Sequence, residues 1–304
     1  MSNFIIILSF FSLGLIIKRL FTLPEKLPLL LNQLVINIAI PAVILLRIPQ
    51  LSLSIEVLFP MFAAWLAVLL AAMLVKIIGN KLHWSKSVMG ALLMTAVLGN
   101  TSYIGFPMVE MFYGEQLLPY AIIFDQLGNF IALAIYGSLI ISLYSNNQEN
   151  VNIYSIVLRI IRFPPFIILL IALLMPANFL PQGLETVLVW CAGAMVPLIM
   201  FIVGLQFSLR LDLHYRLPLI YGLTIKMIAI PLLILFVAIN VPVSADIAKI
   251  SVFESAMPPM VTAGVMAIHA NLAPKLAAAM VGFGLFMSLF FLPIVYWLNN
   301  LLFT

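Results

Sequence analysis

Ten apolar segments fill the chain, at about 3–21, 28–46, 57–79, 86–112, 117–143, 164–181, 185–208, 217–240, 247–269 and 275–302. Most are long enough to cross a hydrocarbon core of about 30 Å at a rise of about 1.5 Å per residue. The first and sixth are the most marginal. Lys18 and Arg19 close the first early, and Pro164-Pro165 and Pro176 bound the sixth. Composition agrees with a polytopic membrane protein: 65% of the 304 residues are hydrophobic and 8% are charged. A soluble domain would carry roughly 25% charged residues. The fold class that follows is all-α integral membrane, with ten transmembrane helices.

Lys and Arg set the orientation. With the N-terminus outside, Lys18, Arg19, Lys26, Lys76, Lys81, Lys86, Arg159, Arg162, Arg210, Arg216 and Lys275 fall in cytoplasmic loops or adjacent helix ends. These are 11 of the 14 basic residues. Arg47 and Lys249 fall outside and Lys226 lies within a span. The positive-inside rule therefore places both the N- and C-termini outside a cell (inner) membrane. The net charge of +4 belongs to these loops, so no nucleic-acid partner is expected; the bilayer itself is the surrounding partner. Lys18 and Arg19 follow the first apolar run rather than precede it, so that run reads as a retained helix, not a cleaved leader.

The polar stretch from Tyr144 to Asn152 divides the chain into a first five-helix repeat (1–145), a cytoplasmic linker (146–163) and a second five-helix repeat (164–304). An odd number of spans per half inverts one half relative to the other. Each half begins with a short helix and holds a mid-span proline in its second helix, Pro41 and Pro197. Each fourth helix is interrupted, by Gly99-Asn100-Thr101-Ser102-Tyr103-Ile104-Gly105-Phe106-Pro107 in the first half. The second-half break is Glu254-Ser255-Ala256-Met257-Pro258-Pro259-Met260-Val261-Thr262. Gly, Asn and Pro open the helical ladder, and open backbone in a membrane persists only where protein buries it or a cavity solvates it. Matched breaks in two inverted halves are the sequence mark of a secondary-transporter binding site.

Gly99-Asn100-Thr101, Gly105-Phe106-Pro107, Tyr113-Gly114 and Phe124-Asp125-Gln126-Leu127-Gly128-Asn129 resemble the first half of the auxin efflux carrier family. Asn37-Ile38-Ala39-Ile40-Pro41 and Met257-Pro258-Pro259 add to the resemblance, which runs over nearly the whole chain. It implies two inverted repeats, a scaffold of helices 1, 2, 6 and 7, and a transport core of helices 3–5 and 8–10. Broken helices 4 and 9 would cross near the midplane. The fold is shared with bile acid and sodium–proton transporters. Family substrates are organic anions such as auxin, malonate and malate, moved by secondary active or facilitative alternating access. Carriers of this fold are often dimers through the scaffold, so a homodimer is an expectation. The alternative within transport is a sodium- or proton-coupled cation antiporter.

Depth places the two breaks together. Asn100 lies about 14 residues, or about 21 Å, from the cytoplasmic end of its helix, and Pro258 about 11 residues, or about 16 Å, from the outer end of its own. Asn100, Thr101, Pro107, Pro258 and Pro259 are the expected crossover, where free helix N-termini would face a carboxylate. The competing reading is a kink needed only for packing. Asp125, with Asn129 one turn away, either takes part in proton coupling or serves as a hydrogen-bond hub. Lys226, about nine residues inside its span, needs a partner: Asp125, Glu254 or the anion. Glu254 could bind a cation, take a proton or neutralise Lys226, or it is a solvated side chain near the outer mouth. Gln33, Asn37 and Pro41 recur every four residues and line the substrate path or stabilise helix contacts. No cofactor is expected, and the coupling ion would be H+ or Na+.

The residue types needed for other classes are missing. The single cysteine, Cys191, allows no intramolecular disulfide or cysteine metal cluster. His83, His214 and His269 lie in loops or at helix ends, which does not suit an intramembrane serine protease. His-Glu-x-x-His and the Gly-x4-Gly-Lys-Ser/Thr loop are absent, so metalloprotease and P-loop pump are set aside and no enzyme activity is expected. A receptor or channel built on a carrier fold is separated from a carrier by ligand-dependent flux.

Overall fold

The computed structural model describes residues 2–21, 23–24, 26–51, 54–145, 153–177, 179–207, 209 and 212–303. The expected cytoplasmic positions of Arg210 and of linker residues 146–152 lie outside the described residues. The described chain is helical: α1 (Ser2–Leu20), α2 (Leu30–Gln50), α3 (Ile55–Lys81), α4 (Lys86–Thr95), α5 (Phe106–Tyr113), α6 (Glu115–Tyr144) and α7 (Ile153–Ile161). It continues with α8 (Pro164–Leu174), α9 (Gln182–Gln206), α10 (Leu213–Asn240), α11 (Ala245–Ser255), α12 (Val261–His269) and α13 (Pro274–Leu302). Among the described residues the extended pairing is one isolated antiparallel bridge between Gly99 and Pro259.

Six of these helices, α2, α3, α6, α9, α10 and α13, are long and apolar enough to cross a membrane. A seventh span results if α7 and α8, bent by 60° at their junction, count as one. The expected fourth and ninth spans are each two shorter helices, α4 with α5 and α11 with α12, because their sequences break them. The expected first span is the 19-residue α1, which ends on Lys18 and Arg19.

The chain forms two compact units. One is built from residues 1–53, 102–122 and 159–207, and the other from 54–101, 123–158 and 208–304. Within the first, α1 packs along α9 at glycine positions. A methyl group added at Gly204 would lie 3.0 Å from the Gly14 Cα and against the Phe11 carbonyl oxygen. Two backbones approach this closely only where neither carries a Cβ, and in lipid such contact replaces the hydrophobic effect as the force between helices. Lys18 closes the same pair by donating to the Phe207 carbonyl at 2.7 Å, and Arg47 pairs with Glu115 elsewhere in the unit.

Within the second unit, α3 packs on α11 and on the middle of α6. Trp65 Nε1 donates to the Leu127 carbonyl at 3.1 Å, fixing α3 to α6. At the surface, Asp212 accepts from Lys275 Nζ and from the His214 N–H, both at 3.1 Å. These bonds hold its carboxyl below the usual range, yet an exposed pair of this kind contributes little to stability.

Several helices contain a widened turn of the π type: Val35–Ala39, Thr101–Gly105, Phe124–Phe130, Leu133–Gly137 and Ile225–Ala229. Three have a cause in the sequence. Pro41, Pro107 and Pro231 each follow by two residues, lack an N–H, and crowd the carbonyl four positions earlier, that of Asn37, Tyr103 or Met227. The turn opens rather than clashes. Such bulges occur frequently at functional sites.

The glycine seam gives a first prediction. Gly204→Leu should force α1 and α9 apart and cost about 1–3 kcal/mol, read as a lowered melting temperature of the detergent-purified protein. An unchanged melting temperature would show that the close approach is not needed.

Candidate functional site

The two breaks meet in the second unit. Ser85 caps α4 by accepting from the Val88 N–H at 3.4 Å. The helix runs to Thr95, and the chain then opens through Ala96–Asn100. α11 ends at Ser255, and Ala256–Met260 opens likewise before α12 begins. The opened segments pair antiparallel. The Asn100 N–H donates to the Pro258 carbonyl at 2.8 Å, and the Met260 N–H donates to the Leu98 carbonyl at 2.9 Å. Pro258 and Pro259 bring no N–H into the break, so the segment has fewer donors to satisfy. The two crossing bonds close backbone groups that would otherwise be costly to bury.

Side chains from α6 and α10 brace the crossing. Asn129 Nδ2 donates to the Gly99 carbonyl and to Thr101 Oγ1, both at 2.9 Å. Thr101 Oγ1, its lone pair so engaged, donates to Asp125 Oδ1 at 2.5 Å. Gln126 Nε2 donates to Asp125 Oδ2 at 2.7 Å. Both Asp125 oxygens therefore accept, as an ionised carboxylate must. Lys226 Nζ reaches the Ser255 carbonyl at 2.9 Å, at the end of α11. All of these side chains are buried, with Asp125 2% and Lys226 3% exposed. The widened turns carry Thr101, Asp125, Asn129 and Lys226 themselves.

Four buried atoms here have no hydrogen-bond partner: Asn100 Nδ2, Gln126 Oε1, and both carboxylate oxygens of Glu254. Glu254 is fully buried, which overturns the expectation of a solvated side chain at an outer mouth. It lies within electrostatic reach of Lys226 and Asp125. Lys226 nevertheless makes no ion pair within 4.0 Å among the described residues; its partner is a backbone carbonyl, which the sequence reading did not include.

The structure thus gathers Asn100, Thr101, Asp125, Asn129, Lys226, Glu254, Pro258 and Pro259 in one unit. Gln33, Asn37 and Pro107 belong to the other compact unit. Gln33 and Asn37 are exposed on α2 in the first unit, and among the described residues their side chains make no hydrogen bond within the chain. Pro107 is buried in the same unit, where it lines a 90 Å³ cavity with Ile6, Ile7, Glu110 and Pro197. Its missing N–H accounts for the widened turn Thr101–Gly105 just before it.

Sequence reasoning missed Gln126 as a ligand of Asp125, Trp65 as the clamp on α6, and the Ser255 carbonyl as the Lys226 partner. Only Gln126 had a signal, its adjacency to an intramembrane acid. Pro231 carried an unused one, because a proline widens the turn before it.

Two predictions follow from the bracing. Asn129→Ala would leave the Gly99 carbonyl short of a donor and should cost about 1–3 kcal/mol, measured as thermal stability in detergent. Wild-type stability would remove Asn129 from the crossing's support. Gly99→Ala would place a methyl 2.9 Å from Lys226 Nζ and 3.2 Å from its Cε. It should displace the lysine and reduce transport while the protein still purifies as a folded species; wild-type flux would show that Lys226 need not sit there.

Comparison with known proteins identifies the family. The family model described as membrane transport protein matches residues 1–296. An uncharacterised transporter of Methanothermobacter thermautotrophicus is 27% identical over 286 residues, covering 93% of this chain and 92% of the relative. An uncharacterised transporter of Methanocaldococcus jannaschii is 29% identical over 214 residues, covering 67% and 68%. With apolar helices able to span a bilayer, and a family match over almost its whole length, this chain belongs to the membrane transport protein family, that of the auxin efflux carriers.

Proposed function

We propose that the protein is a secondary active or facilitative carrier of a small organic anion, a carboxylate such as malonate, malate or an auxin-like acid. The observation that carries this reading is the buried crossing of two broken helices with the Asn100 amide Nδ2 left open. A carboxylate oxygen is the acceptor that such a donor lacks. The first turn of α12 adds backbone N–H groups without helical acceptors and a partial positive charge. Lys226 supplies the full positive charge nearby. An anion at the crossing would satisfy these donors together.

The ten-span, inverted-repeat arrangement belongs to the same proposal. α4 with α5 would form the fourth span and α11 with α12 the ninth, each interrupted where the crossing forms. The grouping of helices supports a scaffold and a core. Residues of the first, second, sixth and seventh expected spans fall in one compact unit, and those of the third, eighth, ninth and tenth in the other, while the fourth and fifth are divided between the two. Each unit draws on both halves of the chain. Termini outside a cell membrane and a scaffold homodimer complete the reading.

The test is uptake into proteoliposomes of labelled malonate, malate and auxin, with and without imposed proton or sodium gradients. Saturable uptake is expected, and Asn100→Ala should lower it at least tenfold, about 1.4 kcal/mol of binding. Dissipation of a sodium or proton gradient with no anion moved would replace this reading with cation antiport.

A further inference from the structure

We infer that Glu254 is the seat of a coupling proton, bound together with the anion; the inference rests on the carrier reading above. The cluster contains two carboxylates, Asp125 and Glu254, and one ammonium, Lys226, all buried. If all three were charged, one negative charge would remain unbalanced. The hydrogen bonds show which acid can carry it. Asp125 accepts at both oxygens, from Thr101 and Gln126. Glu254 accepts at neither, and no cation pairs with it within 4.0 Å among the described residues. An ionised carboxylate left so is strongly unfavourable, and such a group neutralises instead. A proton on Glu254 makes the three side chains neutral in sum.

The surroundings offer no other charge to do this. α11 packs against α3, α10 and α13. On α3 the charged groups are Glu56 in the first turn, Lys81 in the last and Lys76 in the turn before it; Glu56 accepts from the Ser244 N–H at 3.0 Å. α13 offers Lys275 in its first turn and Tyr296 near its C-terminal end. α10 carries His214, Tyr215, Arg216 and Tyr221 in its first turns, before Lys226, and α11 itself carries Asp246 and Lys249. Lys226 and Asp125 are the charges in electrostatic reach of Glu254.

Linkage gives the direction of coupling. A bound carboxylate adds negative charge beside Glu254 and makes its ionised form less favourable. Anion binding therefore strengthens proton binding, and by reciprocity the proton strengthens anion binding by the same factor. The two are taken up together: a proton moves from water to a Glu254 oxygen on the loading side and returns to water on the other. Sodium fits less well, because a hard cation needs about six oxygens and the unpartnered side-chain oxygens here are Gln126 Oε1 and the Glu254 pair.

Two measurements on the full-length protein test this. Infrared spectra of the purified wild type across a pH series should show a protonated-carboxyl C=O stretch that Glu254→Gln removes. In proteoliposomes, an acid-outside gradient of one pH unit at zero membrane potential should support about tenfold accumulation of a monocarboxylate, one proton per anion. Glu254→Gln should exchange labelled for unlabelled anion yet lose that accumulation. Absence of the infrared band, accumulation by the Gln variant, or accumulation driven by sodium instead would overturn the inference. Failure of every anion to exchange in wild type, with the band present, would overturn the carrier reading and the coupling while upholding the bound proton. The variant's folding is controlled by its elution profile, and the wild-type band does not depend on it.

Discussion

Two backbone hydrogen bonds hold the centre of this protein: Asn100 N–H to the Pro258 carbonyl and Met260 N–H to the Leu98 carbonyl. A helix that opens inside a membrane must find new partners for its amides and carbonyls, and each opened segment here finds them in the other. The side chains around the crossing follow from that need. Asn129 caps the Gly99 carbonyl, Thr101 links Asn129 to Asp125, and Lys226 takes up the Ser255 carbonyl at the end of the second broken helix. Polar residues in an apolar chain are thus spent first on the broken backbone. What remains unspent, the Asn100 amide and the Glu254 carboxylate, marks the chemistry directed at something else.

Much of this was legible in the sequence because prolines and polar residues stand out against so apolar a background. The breaks at Gly99-Asn100 and Pro258-Pro259, and the placement of Asp125 and Asn129 on one face, were readable without coordinates. So was the family, most of whose quoted residues lie at the broken and widened turns. The spans were less legible. Hydropathy merges α4 with α5, and α11 with α12, because it averages over the very residues that end the helices.

Burial was the hardest property to read. Glu254 lies toward the outer end of its expected span and so resembles a solvated residue, yet it is fully buried. Lys226 called for a partner, and the natural expectation was a carboxylate. Its actual partner is a carbonyl freed by the break, a group that every residue possesses and that no sequence pattern distinguishes.

The two breaks differ in what makes them. Pro258 and Pro259 cannot donate to a helix, so the second segment is open by its own covalent structure. The first, Ala96–Asn100, contains no proline, and only Gly99 and Asn100 weaken it. During synthesis the first half emerges long before the second. Its break must then wait in the bilayer with the Leu98 carbonyl and Asn100 amide unanswered, or coil provisionally, until the proline-opened strand arrives. The order of the prolines along the chain thereby gives assembly a direction: the late strand is the template, and the early one is shaped on it.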